Sequence, residues 1–69
     1  MKKQIKNLEN ILIELRQKLD EREEKFEERS ESWQDSERGQ DFQDKNDELE
    51  NIIMELDMQL EELQNWIKN

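Results

Sequence analysis

Leu49-Glu50-Asn51-Ile52-Ile53-Met54-Glu55-Leu56-Asp57-Met58-Gln59-Leu60-Glu61-Glu62-Leu63 is the stretch that decides the fold. Leu49, Ile53, Leu56, Leu60 and Leu63 recur at spacings of four and three, the period that turns one face of a helix toward a partner helix. The same rule extends back to Phe42 and forward to Ile67. On the other side of the only glycine, Gly39, a second seam runs through Ile5, Leu8, Leu12, Leu15, Leu19, Phe26 and Trp33. Arg22 and Arg29 hold two of its heptad places. Two such helices around a turn predict an all-α antiparallel helical hairpin, with helices over about 3–30 and 37–68 and a turn over about 31–36.

The 69 residues allow one domain, residues 1–69. A core this small supplies only about 3–5 kcal/mol unless disulfides, metal or oligomerisation add to it. Cysteine and histidine are both absent, so disulfide staples are impossible and a zinc site would have to be built from carboxylates alone. Self-association is the remaining route to stability. With 45% of residues charged and 30% apolar, disorder is a competing reading of the composition, but disordered acidic tracts have no reason to space leucines at three and four. The segment Met1-Lys2-Lys3-Gln4-Ile5-Lys6 is basic like the start of a signal peptide, yet Glu9, Asn10 and Glu14 break the apolar stretch that should follow. No segment approaches the roughly 18 apolar residues of a membrane span, and the expectation is a soluble, cytoplasmic protein with no membrane partner.

Charge divides along the hairpin. Residues 1–19 hold five basic and two acidic side chains (net +3), residues 20–50 five and fourteen (net −9), and residues 51–69 one and four (net −3). Acid therefore gathers at the turn end. Folding near Gly39 sets the basic first arm beside the acidic last arm, with Lys2, Lys3 and Lys6 expected near Glu61 and Glu62. Exposed pairs are worth about 0–1 kcal/mol each, so they select a partner more than they stabilise one.

Two turns are compatible with the residues between the seams. In one, the first helix reaches Arg38, Gly39 takes a left-handed conformation and Asp41 caps the second helix. In the preferred one, the first helix ends near Arg29 to Ser30, Ser32-Trp33-Gln34 makes a tight turn, and Ser36 caps a helix beginning at Glu37. Ser30, Ser32 and Ser36 occur only here, and serine favours caps and turns over helix interiors. Gly39 then lies in the first turn of the second helix, where Trp33 approaches its backbone and Phe42 packs on the indole as a plug for the hairpin. This segment, Ser32-Trp33-Gln34-Asp35-Ser36-Glu37-Arg38-Gly39 with Phe42, resembles the turn of small, uncharacterised helical-hairpin proteins of phages, prophages and plasmids. The resemblance covers roughly residues 20–60. It implies a hairpin fold and a mobile-element origin, and it transfers no active-site residue.

The polar residues offer no catalytic, cofactor-binding or metal set. A calcium loop starting at Asp35 would need glycine where Gln40 stands and glutamate where Asn46 stands. A di-iron site fails for want of a Glu-x-x-His. No nucleophile and base converge, so the chain reads as a non-enzyme. Arg22 and Arg29 are expected to lay their stems over Phe26 and reach neighbouring glutamates. Asn46, in a seam place, can set register or lie exposed near the helix start. Glu23, Glu24, Glu27, Glu28, Glu31, Asp35, Asp44, Asp47 and Glu48 form a candidate acidic partner surface, otherwise a solvated face.

Six apolar residues lie off the seam. With Ile5 and Ile53 at heptad position a, Ile11, Ile52 and Trp66 fall at g, Ile13 and Met54 at b, and Met58 at f. All lie in the terminus-bearing half and widen its apolar surface beyond what one helix can cover, a pattern monomers rarely leave exposed. They are the candidate oligomer interface of a homodimeric four-helix bundle. The expected function is that of an acidic helical interaction protein, a small phage or mobile-element regulator or inhibitor that binds a protein partner, a basic one being the natural match to its charge. The alternatives are a nucleic-acid mimic whose carboxylates block a DNA- or RNA-binding protein without itself binding nucleic acid, and, more remotely, a structural assembly factor.

Overall fold

Helix α1, Lys2–Glu28, contains neither glycine nor proline and is rich in leucine, glutamate and lysine, which lose little freedom in a helix. It stops where two residues turn extended: Arg29 at ψ 156° and Ser30 at ψ 154°. In this computed structural model, which describes residues 1–68, the turn contains a helix of its own, α2 at Glu31–Asp35. Ser30 caps it, its Oγ accepting the Trp33 amide at 3.3 Å. Ser36 is extended again at ψ 165°, and α3 runs Glu37–Lys68.

The preferred reading of the turn holds at its second half. Ser36 Oγ accepts the Gly39 amide at 3.2 Å, the Gln40 amide reaches the Ser36 carbonyl at 3.0 Å, and Glu37 is the first helical residue. No glycine has positive φ, so the left-handed Gly39 and the Asp41 cap are not what the chain adopts. The first half of the turn differs from expectation. Helix α1 ends about two residues early, and Ser32-Trp33-Gln34 is one helical turn rather than a tight reversal. The reason is local: Ser30 supplies a cap that lets a new helix begin before the chain reverses.

Antiparallel register follows from side-chain pairs across the hairpin. Glu9 accepts from Gln64 at 3.0 Å, Arg16 meets Asp57 at 2.8 Å, and Arg22 meets Asn46 at 2.7 Å, each step forward along α1 being a step back along α3. Lys2, Lys3 and Lys6 do not find Glu61 and Glu62. Among the described residues Arg16–Asp57 is the one ion pair within 4 Å, and both its side chains are half exposed. Long, hydrated lysines at a helix end gain too little from a surface carboxylate to be held beside it.

The result is a rod of 53 × 15 × 11 Å. Its apolar centre lies in the terminus-bearing half. Leu12, Ile53 and Leu60 are buried, with Ile5, Leu15, Leu19 and Leu49 packed against them. Three buried apolar side chains among the described residues are few for a chain of this length, and several seam residues stay open to solvent, among them Leu8, Leu56 and Ile67. A two-helix layer can cover only one side of each seam, which is the geometric reason for the shortfall.

Candidate interaction surfaces

The turn end is held by three rings. Phe26 from α1, Trp33 from α2 and Phe42 from α3 bring their centroids within 5.9 to 6.2 Å of one another, Phe26 and Phe42 stacked and Trp33 edge-on to both. Two arginines close the cluster. Arg22 lies over Phe42 at 4.3 Å and Arg29 over Trp33 at 4.2 Å, cations on the electron-rich faces of the rings. Neither head reaches a glutamate within ion-pairing distance, contrary to the expectation from sequence. Nε of Arg22 instead donates to Oδ1 of Asn46, the only buried polar or charged side chain among the described residues. Asn46 is therefore an interior seam residue with its acceptor satisfied, and its exposed alternative does not apply.

Gly39 sits against the backbone of α2. A methyl group there would collide with the carbonyl oxygens of Trp33 and Gln34, so the close approach is made by the Trp33 main chain rather than by its indole. Gln34 has a part that sequence reading missed. Its side-chain amide donates to the carbonyls of Phe26 and Arg29, each at 3.0 Å, giving Arg29 a partner at the end of α1 and Phe26 a second donor beside the Arg29 amide at 3.2 Å. The signal was present as a glutamine in a serine-rich turn, but the reach from residue 34 back to residue 26 depends on how α2 folds.

The proposed acidic surface is wholly exposed: Glu23, Glu24, Glu27, Glu28, Glu31, Asp35, Asp44, Asp47 and Glu48 are all open to solvent. They do not form one face. Glu23, Glu27 and Asp47 come together around a shallow groove floored by Phe26 and Asn46, and the rest spread around the rod. Among the described residues no three Asp or Glu side chains converge closely enough to hold a metal ion.

The six off-seam apolar residues are all exposed, from 47% for Ile11 to 69% for Trp66. The structure divides them between two flanks. One flank carries the heptad e positions of both helices and is polar, closed by Glu9–Gln64 and Arg16–Asp57. Met54 borders it beside Glu9, Asp57 and Glu61, Ile13 holds the matching b position on α1, and Met58, at f on the outer face, reaches both this border and the Ile52 and Gln59 side. The other flank carries the g positions, with Ile11, Ile52 and Trp66. There Ile11 and Gln59 line an almost wholly apolar groove of about 310 Å³ with Leu8, Leu12, Leu56, Leu60 and Leu63. No helix is long and apolar enough to cross a membrane among the described residues. Comparison of the chain with protein-family models, with curated proteins and with solved structures finds no match.

Proposed function

We propose that this chain is a non-enzymatic helical interaction protein, a small cytoplasmic regulator or inhibitor of phage or mobile-element origin that works by occupying a protein partner. The observation that supports this reading is the apolar groove on the g flank, lined by Ile11, with Ile52 and Trp66 exposed at further g positions of the same flank. Apolar side chains held in a row on a rigid helix gain most when another surface removes them from water. The carboxylates of the turn end would then set which partner approaches, by steering a basic surface toward the rod.

A second reading has its own support. Residues 20–50 carry fourteen carboxylates, and none of them lies within ion-pairing distance of a cation among the described residues. Such unneutralised charge along a rod can take the place of phosphates in a basic groove. One experiment separates the two. The tagged chain is used to recover a partner from a bacterial host, and the recovered partner is then titrated with wild-type chain at low and high salt. Affinity that persists at high salt supports the apolar interface, and affinity that collapses supports the mimic. A partner bound equally well by a chain carrying both Ile11→Glu and Ile52→Glu and by one with the turn-end carboxylates neutralised would overturn both.

A further inference from the structure

The two g rows share an internal symmetry that a second copy of this chain would match. On α3 the row reads Ile52, Gln59, Trp66, with Gln59 midway. On α1 it reads Gln4, Ile11, Lys18, with Ile11 midway. Gln59 and Ile11 line the same groove, so both midpoints lie at one level of the rod. We infer that this chain forms an antiparallel homodimer through its g flank, about a two-fold axis passing beside Gln59 and Ile11. This rests on the reading of the groove as an association surface, and it names the occupant.

A two-fold axis at that level sets like residues opposite one another at the midpoints and exchanges the ends. Gln59 meets the second copy's Gln59, two amides that can bond each other as donor and acceptor. Ile52 meets Trp66 of the second copy, and the exposed halves of both are covered. Ile11 meets Ile11, and Gln4 meets Lys18. No carboxylate occupies a g position on either helix, whereas the e flank holds Glu9, Glu23, Glu50 and Asp57. The g flank is thus the less acidic of the two sides, with Glu55 at its rim beside Ile52 and Gln59.

Charge along the rod favours the same arrangement. Residues 1–19 and 51–69 sum to zero, +3 and −3, while residues 20–50 carry −9. Overlapping the neutral halves in antiparallel fashion projects the two acidic turn ends in opposite directions, and a parallel dimer would set them side by side. Fully covering Leu8, Ile11, Ile52, Leu56 and Trp66, together with the stems of Gln59 and Lys18, removes on the order of 600 Å² per copy, which puts the dimer at the low end of stable interfaces.

Light scattering on the wild-type chain at tens of micromolar should give twice the mass of one chain. Carrying both Ile11→Glu and Ile52→Glu should weaken the dimer by at least about tenfold, as for residues at an interface centre. Ile13→Glu with Met54→Glu, on the other flank, should leave it intact. Because a monomerised hairpin can lose helix, a second measurement uses chains with every apolar residue in place. Gln59→Cys should form a disulfide-linked dimer readily on mild oxidation, and Glu61→Cys, on the opposite flank, should not. A monomeric wild-type chain, dissociation by the Ile13 and Met54 pair instead, or cross-linking through residue 61 equal to that through residue 59 would overturn the inference. A heterologous helix in the groove would appear as a monomeric chain that still captures its partner, so this dimer can fail while the functional reading stands.

Discussion

At the residue scale the turn end depends on Trp33 and Gly39. The indole contacts both phenyl rings and carries Arg29 on its face, but it is only partly buried, so its removal costs less than emptying an enclosed aromatic site. Trp33→Ala should lower unfolding free energy by about 2–3 kcal/mol, below the roughly 3–5 kcal/mol of fully buried cases. Urea denaturation followed by circular dichroism checks it, and a loss under about 1 kcal/mol would place the cluster's stability elsewhere. Gly39→Ala tests a different cause. Alanine favours helix over glycine by about 1 kcal/mol, yet its methyl would meet two backbone carbonyls that no side-chain rotation can move. Overpacking of that kind costs about 1–3 kcal/mol, so the net result should be a loss rather than the usual gain at a helical glycine. A stabilised Gly39→Ala chain would mean that α2 shifts freely.

At the scale of elements the question is what keeps α1 from running on. Nothing in its last turn forbids continuation: there is no proline and no left-handed residue. Termination is instead favoured by α2, whose Gln34 amide serves the carbonyls of Phe26 and Arg29 and whose own start is capped by Ser30. Gln34→Ala should therefore destabilise the hairpin by about 1 kcal/mol, the net worth of a typical intramolecular hydrogen bond. Gln34→Glu should cost more, because a carboxylate then faces the negative end of the α1 dipole. Thermal melts of the two variants rank them, and equal stability would show that water replaces the amide without loss. The hydrophobic spacing made both long helices legible. It could not show the extra helical turn between them, which is too short to have a period and exists through three serines, one glutamine and a missing methyl group.

At the scale of the whole molecule, net charge of −9 sits largely on the turn half and is met by a single ion pair in the open half. Repulsion between those carboxylates is greater in the rod than in an expanded chain, so screening should stabilise the fold. Raising sodium chloride from about 20 to about 500 mM shortens the Debye length from roughly 20 Å to roughly 4 Å, and the melting temperature should rise. A fall would show that specific ion pairs dominate and would weaken the view of the turn end as acid available to a basic partner.

The sequence by itself determined the two long helices, their antiparallel order, the Ser36 cap and the accumulation of acid at the turn, because each is a matter of spacing or composition along one chain. Which neighbour each side chain would find was decided only by the tertiary structure. Arg22 turned to Asn46 and Phe42 instead of a glutamate, Arg29 to the Trp33 ring, and the lysines of the first turn to no acidic partner within ion-pairing distance. The off-seam apolar residues, one set in the sequence, became two flanks of opposite character once the helices were paired. Periodicity says which residues share a face of a helix, but when two helices meet, the contact covers the middle of that face and leaves its edges to different fates. The e edge is occupied by Arg16–Asp57 and Glu9–Gln64, and the g edge keeps its isoleucines and Trp66 in the open.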